Sequence, residues 1–436
     1  QTLLRASRRT PVDIINDMVR NVPLPKMAPV RQVFDDTALA DVEATLNEQF
    51  AAANLSDRIE PGDRIALGVG SRGLAELPLL VRTTVDALKA LGAEPFIVPA
   101  MGSHGGATAE GQTNVLKGLG VTEESAGCPI HSNMETVELG KLPSGLPILM
   151  DRLSMEADGI AFINRVKPHT SFTADYESGL CKMLSIGFGK QRGADSCHAE
   201  GFGRMAHNVL EMAKIKAERT KFLFCVATVE NAYDKIAIAE VVKAEYMLSR
   251  EPDLLKIARA SMPRVLFTPL DVLVVEKMGK EFSGMGCDPN ITGRASTPYI
   301  RPEMNASRFA ILDLSLKSGG NATGVGMADV ITKSLANKID LVATYANHLT
   351  STTIPGARIP MTLDTARLAV QAAVKTCNGP AADKLRVVEL TDTLHLERIM
   401  ISEALLQEAR DHPQIEVLGE AEDWVFVDER DDAMAA

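Results

Sequence analysis

The sequence is poor in aromatic residues and in basic charge, and it lacks any long apolar run. Aromatic residues make up only 4% of the 436 residues, which argues against the stacking platforms that bind single-stranded nucleic acid. The formal net charge is −11, and a surface of that sign repels nucleic acid and anionic membranes. No apolar run reaches the roughly 18 residues of a membrane span. We therefore expect neither nucleic acid nor a membrane as a partner.

Cysteine pairs in disulfide or zinc-binding spacing are also missing. The six cysteines, at 128, 181, 197, 225, 287 and 377, form no CxxC motif, which is typical of reduced thiols in a reducing compartment. The N-terminal residues show no apolar signal region, although Gln1 suggests that the natural chain starts earlier. Together these features predict a cytoplasmic protein.

Strand and helix patterns alternate along the whole chain, without a sequence repeat. A chain of this length is too long for one core, and the β-α alternation predicts parallel sheets covered by helices. The pattern restarts near Pro263 to Pro269, so we predict an N-terminal domain over 1–265 and a C-terminal α/β domain over 266–436. In the second half, the periodicity predicts helices over 327–336 and 396–411.

The stretch from Arg165 to His198 carries the densest set of reactive side chains. The apolar strand that precedes it ends near Lys167-Pro168, since proline cannot continue a ladder and disfavours helix before it. His169 should therefore follow a strand's carboxyl end, where ligands bind in parallel sheets. Lys182 lies in a small-residue segment that we predict to be a loop, and His198 is predicted to open a long helix. Each could also be structural: His169 bonded to a carbonyl, Lys182 on the surface, His198 as a helix cap.

Two glycine-rich turns follow earlier strands. Gly68 to Gly73 reads GxGxxG, the dinucleotide fingerprint, but the acidic residue expected after the next strand is absent. The alternatives are a tight turn without a ligand, or an anion site in which Arg72 contributes charge to the backbone N–H groups. His104 lies in GSHGG after the second strand, where the flanking glycines expose it.

The segment from Gly279 to Arg294 is a glycine-punctuated polar loop that opens the second half. Its polar side chains suit hydroxyl or carboxylate groups, and we predict that it forms the other wall of an interdomain cleft; an ordinary long loop is the alternative. The candidate substrate-binding residues there are Lys280, Asp288, Asn290 and Arg294.

Two common catalytic classes find no support in the sequence. No HxxxH or HExxH motif is present, so two histidines and a lysine indicate zinc only weakly. No GxSxG motif is present either, which removes the nucleophile elbow of a serine hydrolase.

As an ordered set, these residues resemble the lactate racemase family, isomerases that depend on a nickel-pincer nucleotide. The resemblance rests on Arg72, His104, His169 after Val-x-Pro, and the Lys182–His198 interval. It covers roughly the first 265 residues. Each motif alone is moderately specific, and the ordered set of motifs is a stronger indication than any one of them.

The resemblance implies two α/β domains with the cofactor in the cleft between them. The cofactor would be a nickel pyridinium-3,5-bisthiocarboxylic acid mononucleotide, bound covalently as a thioamide to Lys182, beside Ser178 and Gly179. His198 would be the protein's nickel ligand, and Arg72 would bind an anion of cofactor or substrate. His104 and His169 would be the two acid/base groups.

The implied reaction is racemisation or epimerisation of a 2-hydroxy acid by reversible hydride transfer to that cofactor. Inversion moves the hydroxyl to the other side of the carbon, so two bases are needed. Cofactor-synthesis proteins would be partners, and the chain could form a homo-oligomer.

The chain departs from lactate racemase at several positions. Three extra residues precede Lys182, and Val69 stands where the family has an aspartate. The family's second-domain glutamine and lysine have no recognisable counterparts in the loop over 279–294. We therefore expect the reaction class to be kept and the substrate to differ. The competing hypotheses are a nicotinamide-dependent oxidoreductase that uses the Gly68–Gly73 turn, and a non-catalytic nucleotide- or metal-binding protein.

Overall fold

The protein divides into two compact units. The structure, a computed structural model, describes residues 11–71, 73–426 and 428. Unit A is Asp35–Met262, and unit B combines Gln1–Phe34 with Pro263–Ala436. The division predicted at 265/266 differs from this one in the first segment. The strand at Met27–Gln32 pairs with strands at Arg398–Ser402 and Ile415–Val417, so that segment lies in unit B.

Strands and helices alternate in both units. The strands are β1 (Met27–Gln32), β2 (Arg64–Val69), β3 (Glu94–Pro99), β4 (Thr136–Lys141), β5 (Pro147–Asp151), β6 (Gly159–Arg165), β7 (Phe222–Glu230), β8 (Ile236–Lys243), β9 (Leu270–Met278), β10 (Ala306–Leu314), β11 (Val330–Thr332), β12 (Met361–Leu363), β13 (Val387–Leu390), β14 (Arg398–Ser402) and β15 (Ile415–Val417). The α-helices are α1 (Pro11–Val19), α2 (Val42–Ala53), α3 (Leu77–Ala90), α4 (Ala109–Gly118), α5 (Glu123–Ala126), α6 (Arg152–Met155), α7 (Leu180–Lys182), α8 (Lys190–His198), α9 (Phe202–Arg219), α10 (Met247–Ser261), α11 (Pro289–Thr292), α12 (Lys333–Lys338), α13 (Leu341–Ser351), α14 (Ala366–Thr376) and α15 (Leu406–Asp411).

Unit A is built on a five-stranded sheet in the order β3-β2-β6-β7-β8. All pairs are parallel except β7 with β8. From β2 the chain first goes to one side, to β3, and then crosses to the other side, to β6. The crevice between the carboxyl ends of β2 and β6 is therefore the topological switch point, where open α/β sheets bind ligands.

Both faces of this sheet are buried, as a parallel sheet requires. One face, including Leu67 and Ile163, packs on α2 and α3 side chains. The other face, including Phe162, packs on α9, α10 and residues 180–198. Since successive strand residues point to opposite faces, the continuous apolar runs of β2 and β6 follow from burial on both sides.

Unit B holds an eight-stranded sheet in the order β12-β11-β10-β9-β13-β14-β1-β15. The five strands from β12 to β13 are mutually parallel, and the last three join antiparallel. Its switch point lies between β9 and β13. The predicted α/β class with mostly parallel sheets is confirmed.

Two predicted helices of unit B are partly wrong. Within 327–336 the structure has β11 followed by α12, and within 396–411 it has β14 followed by α15. In β11 the β-branched run is fully buried and pairs on both sides. In β14 the buried residues Ile399 and Ile401 alternate with more exposed ones. Pairing across the sheet therefore overrides the helical periodicity.

No helix within the described ranges is both long and apolar enough to cross a membrane. All six cysteines are free, and five of them are buried.

Candidate active site

Lys182 lies at the end of a three-residue helix beside the switch point of unit A. The predicted loop is helical instead: α7 runs into a π-turn at Met183–Gly187 and then into α8. We call residues 180–198 the tether segment. A π-turn inside a helix widens the backbone locally and is frequent at functional sites.

Glu251 fixes the start of the tether segment. Its Oε2 accepts a hydrogen bond of 2.7 Å from the Cys181 amide, at the helix start where N–H groups lack intrahelical partners. A methyl group on Gly179 would lie 2.1 Å from Glu251 Oε1, so any larger residue there would displace the Glu251 carboxyl. The carboxyl is fully buried, and this burial raises the pKa of Glu251 to about 7, although the hydrogen bonds from Cys181 oppose the shift.

The turn after β2 and the end of β6 both reach this segment. The Asn164 side chain donates a 2.7 Å hydrogen bond to the Gly179 carbonyl, and a methyl on Gly70 would lie 3.7 Å from Met183 Cε. Ser178 exchanges backbone hydrogen bonds with Lys167, two residues before His169. The two loops of the switch point therefore meet next to Lys182.

His198 is the last residue of α8, which corrects the prediction that it opens a helix. Its Nδ1–H donates to the Ala194 carbonyl at 2.7 Å, so Nε2 keeps its lone pair. Burial lowers the pKa of His198, and the nearby Lys182 ammonium lowers it further, while the Ala194 bond raises it. The net direction favours neutral imidazole, the form that binds metals.

His169 shares an aromatic cluster with His198. Its ring centroid lies 4.4 Å from that of Phe172 and 6.0 Å from that of Phe202, and the Phe202 ring lies 5.9 Å from His198. His169 Nδ1 accepts the Ser171 amide at 3.0 Å. In the neutral ring the proton therefore lies on Nε2, which is a donor.

Glu177 holds the His169 loop in shape. Its carboxylate accepts the His169 amide at 2.6 Å, the Ala174 amide at 2.9 Å and an Arg259 N–H at 2.6 Å. Burial raises the pKa of Glu177, whereas these three donors lower it. The loop is thus ordered by its own buried carboxylate rather than by regular secondary structure.

His104 lies five residues after β3, on an exposed loop that packs on the π-turn. The Gly102 amide donates to the Gly187 carbonyl at 3.1 Å, and Gly102 and Gly105 both take positive φ angles, which glycine adopts without strain. The His104 Nδ1 shares a hydrogen bond with the Ser71 hydroxyl. A hydroxyl can accept the Nδ1 proton, and in that tautomer Nε2 is the ring nitrogen that carries the lone pair.

Arg72 lies outside the described residues. The rest of the GxGxxG turn has a packing explanation at its first glycine. A methyl on Gly68 would lie 2.3 Å from the Phe188 ring, so a side chain at this position of β2 would displace that buried ring. Dinucleotide binding requires the turn to lead directly into a helix N-terminus. Helix α3 begins only at Leu77, so this turn does not meet that requirement.

The four candidate residues of unit B each have protein partners. Asp288 accepts the Asn290 amide at 2.9 Å and its side-chain N–H at 3.0 Å. Lys280 Nζ donates to the Gly284 carbonyl and to the Asn347 side chain. Arg294 bonds two backbone carbonyls and Asp329. Their roles as substrate ligands stay predictions.

Two buried lysines near the site were missed by sequence reasoning. Lys190 Nζ donates to the Pro99 carbonyl at 2.7 Å and lies 3.4 Å from Asp151. Lys216 Nζ donates to carbonyls of the π-turn. Lys216 lies at helical spacing from Val209, Met212 and Ala213 on the apolar face of α9. A lysine in that register could have been recognised from the sequence as a buried lysine.

Comparison with known proteins finds similarity in the N-terminal domain and in the fold. Residues 8–212 match the lactate racemase N-terminal domain. The fold is similar to the lactate racemase apoprotein from Thermoanaerobacterium thermosaccharolyticum, with 13% sequence identity, a TM-score of 0.50, and coverage of 84% of this chain and 99% of that one. A search of curated proteins gives no significant match. Residues 8–212 therefore form an N-terminal domain of the lactate racemase family.

Proposed function

We propose that the protein is a racemase or epimerase of a 2-hydroxy acid that works with a nickel-pincer nucleotide tethered to Lys182. The supporting observation is that one segment, 180–198, carries Lys182 and His198 and is contacted by the loop of His104. The Phe202 ring packs against both His198 and His169. Family membership supports the racemase class, and the site's position at the switch point of unit A supports the location.

The side chains fit such a cofactor better than they fit a bare metal ion. Within the described residues, no group of three or more His, Cys, Asp or Glu side chains is placed to hold a metal. His198 offers one neutral nitrogen beside Lys182. A metal that brings its other donors with it, on a group attached to Lys182, needs one protein nitrogen, and imidazole is a suitable nickel ligand. When bound, the cofactor would supply the hydride acceptor.

The two histidines would handle the hydroxyl proton. His104 can keep its Nδ1 proton on Ser71 and accept a proton at Nε2, whereas His169 in its neutral form presents an Nε2 proton. Because the two rings lie on separate loops, each would exchange a proton with the substrate hydroxyl in one of the two configurations of the reacting carbon. The half-buried Lys182 and the aromatic rings beside His169 limit water around the reacting carbon.

The test is to co-express the chain with the cofactor-synthesis proteins and to measure intact mass, nickel content and racemisation of single-enantiomer 2-hydroxy acids. We expect a nickel-bearing covalent adduct that is lost in Lys182→Ala and retained in Lys214→Ala, a partly exposed lysine paired with Glu211. An adduct that persists in Lys182→Ala contradicts the tether assignment. A dissociable nicotinamide cofactor with no adduct would favour the oxidoreductase instead.

A further inference from the structure

The π-turn that follows Lys182 diverts two backbone hydrogen bonds. The Phe188 amide bonds the Met183 carbonyl, and the Gly189 amide bonds the Ile186 carbonyl, both at 3.1 Å. In a regular α-helix each amide would bond the carbonyl four residues before it. The carbonyls that would bond these amides in a regular helix are those of Leu184 and Ser185. Both lie in a buried segment, where an unpaired polar group costs free energy.

Lys216 supplies the missing donors. Its Nζ lies 3.0 Å from the Leu184 carbonyl oxygen and 2.6 Å from the Ser185 carbonyl oxygen, which are the two carbonyls that the diverted amides leave. The side chain is completely buried. A buried amine that is neither on the surface nor in direct contact with a carboxylate is unusual, and here its N–H groups match the backbone acceptors of the widened turn.

The helix that carries Lys216 also contacts the other end of the tether segment. Phe202, in the first turn of α9, packs against the His198 ring, and Met205 contacts Cys197 at 3.7 Å. Helix α9 therefore contacts the tether segment at two points. Lys216 contacts it just after Lys182, and Phe202 and Met205 contact it near His198. The length of α9 fixes the separation between the two points.

We propose that Lys216 is a positioning residue that holds the π-turn open and thereby sets Lys182 and His198 at the spacing that one tethered nickel cofactor requires. Without the Lys216 donors, the turn would be expected to tighten toward regular α-helix, which recovers its backbone bonds. That change would rotate the residues after Lys182 relative to those before it and would move His198 away from the tether. The metal-spacing part of this proposal rests on the proposed function, whereas the part about the turn does not.

The experiment compares Lys216→Met, which keeps an unbranched apolar side chain but removes the donors, with Lys214→Met, a change of a partly exposed lysine on the same helix. Hydrogen exchange of peptides that contain Phe188 and Gly189 is measured without cofactor. Nickel per adduct is measured after co-expression with the cofactor-synthesis proteins and dialysis against a chelator. We expect circular dichroism to match the wild type. Exchange at the π-turn should change by about tenfold or more, and nickel retention should fall by about tenfold. Lys214→Met should match the wild type in both.

A second variant protects the test against misfolding of Lys216→Met. A methyl on Gly189 would lie 2.9 Å from the Ser185 carbonyl oxygen, so Gly189→Ala crowds the same contact while Lys216 remains. It should also lower nickel retention at a temperature where the fold is intact. Wild-type exchange and wild-type nickel retention in whichever of these variants folds would overturn the proposal. If the wild-type chain itself acquires no adduct, the proposed function fails, but the exchange measurement still decides the role of Lys216 in the turn.

Discussion

Replacing Glu251 with glutamine should make the stability of unit A less dependent on pH. Burial raises the pKa of Glu251 from its ordinary 4.5 to about 7, so the folded protein holds this proton more tightly than the unfolded chain does. The stabilisation is complete below pH 4.5 and is lost as the pH rises through 7. The difference of about 2.5 pKa units corresponds to about 3 kcal/mol.

Glutamine keeps the shape of the side chain and an oxygen that can accept the Cys181 amide, but it cannot ionise. The wild type should therefore lose about 2–3 kcal/mol relative to Glu251→Gln between pH 5 and pH 8. Burial also raises the pKa values of Cys181, Cys225 and Tyr176 around it. These groups therefore stay neutral between pH 5 and pH 8 and do not contribute to the pH dependence that is compared.

The measurement is hydrogen exchange of peptides from α7 and α10 for both proteins at matched pH, because a ratio at each pH cancels the intrinsic exchange rate. Trp424, the single tryptophan, lies in unit B, so its fluorescence separately monitors that unit. The matched control is Asp253→Asn, an exposed carboxylate two residues further along α10. A difference between wild type and Glu251→Gln that is the same at pH 5 and pH 8 would refute the raised pKa.

Three further predictions concern the same site. His198→Ala should reduce nickel per adduct while still permitting an adduct, as measured by metal analysis with intact mass; an unchanged ratio would exclude His198 as the ligand. His104→Ala and His169→Ala should each slow both reaction directions by about 10²–10⁴, and rapid mixing with pure enantiomers should show that each variant fails to reduce the cofactor with only one of them. If both variants reduce the cofactor equally with both enantiomers, the two-base scheme is wrong. Gly179→Ala should lower stability by about 1–3 kcal/mol through its collision with Glu251, seen as a lower thermal midpoint; an unchanged midpoint would show that the carboxyl moves aside freely.

The sequence was informative where local pattern and burial coincide. The apolar runs at β2 and β6 needed no partner to be recognised as strands, and their breaks located the loops of Gly70 and His169. Threonine is a favoured N-cap residue, and the Thr108 side chain accepts the Gly111 amide at the start of α4. The parallel α/β class follows from the same alternation, since strands joined by helices return in the same direction.

Local pattern failed where a distant segment decides the conformation. Residues 399–401 form a strand because β13 and β1 pair with them, and β1 comes from the other end of the chain. The tether segment is helical with a π-turn, and two of its carbonyls are satisfied by Lys216 from a different helix.

The order of Arg72, His104, His169, Lys182 and His198 along the chain was enough to suggest the family. The sequence could not show how the described members of this set are held. Glu251 and Lys216 lie 69 and 34 positions beyond Lys182, and only folding brings their side chains to the backbone of Cys181 and Ser185 on either side of it. The physical reason is that a local motif is enough to identify the reactive side chains. A buried ionisable side chain such as Glu251 or Lys216 is tolerated only where the tertiary structure supplies its hydrogen-bond partners.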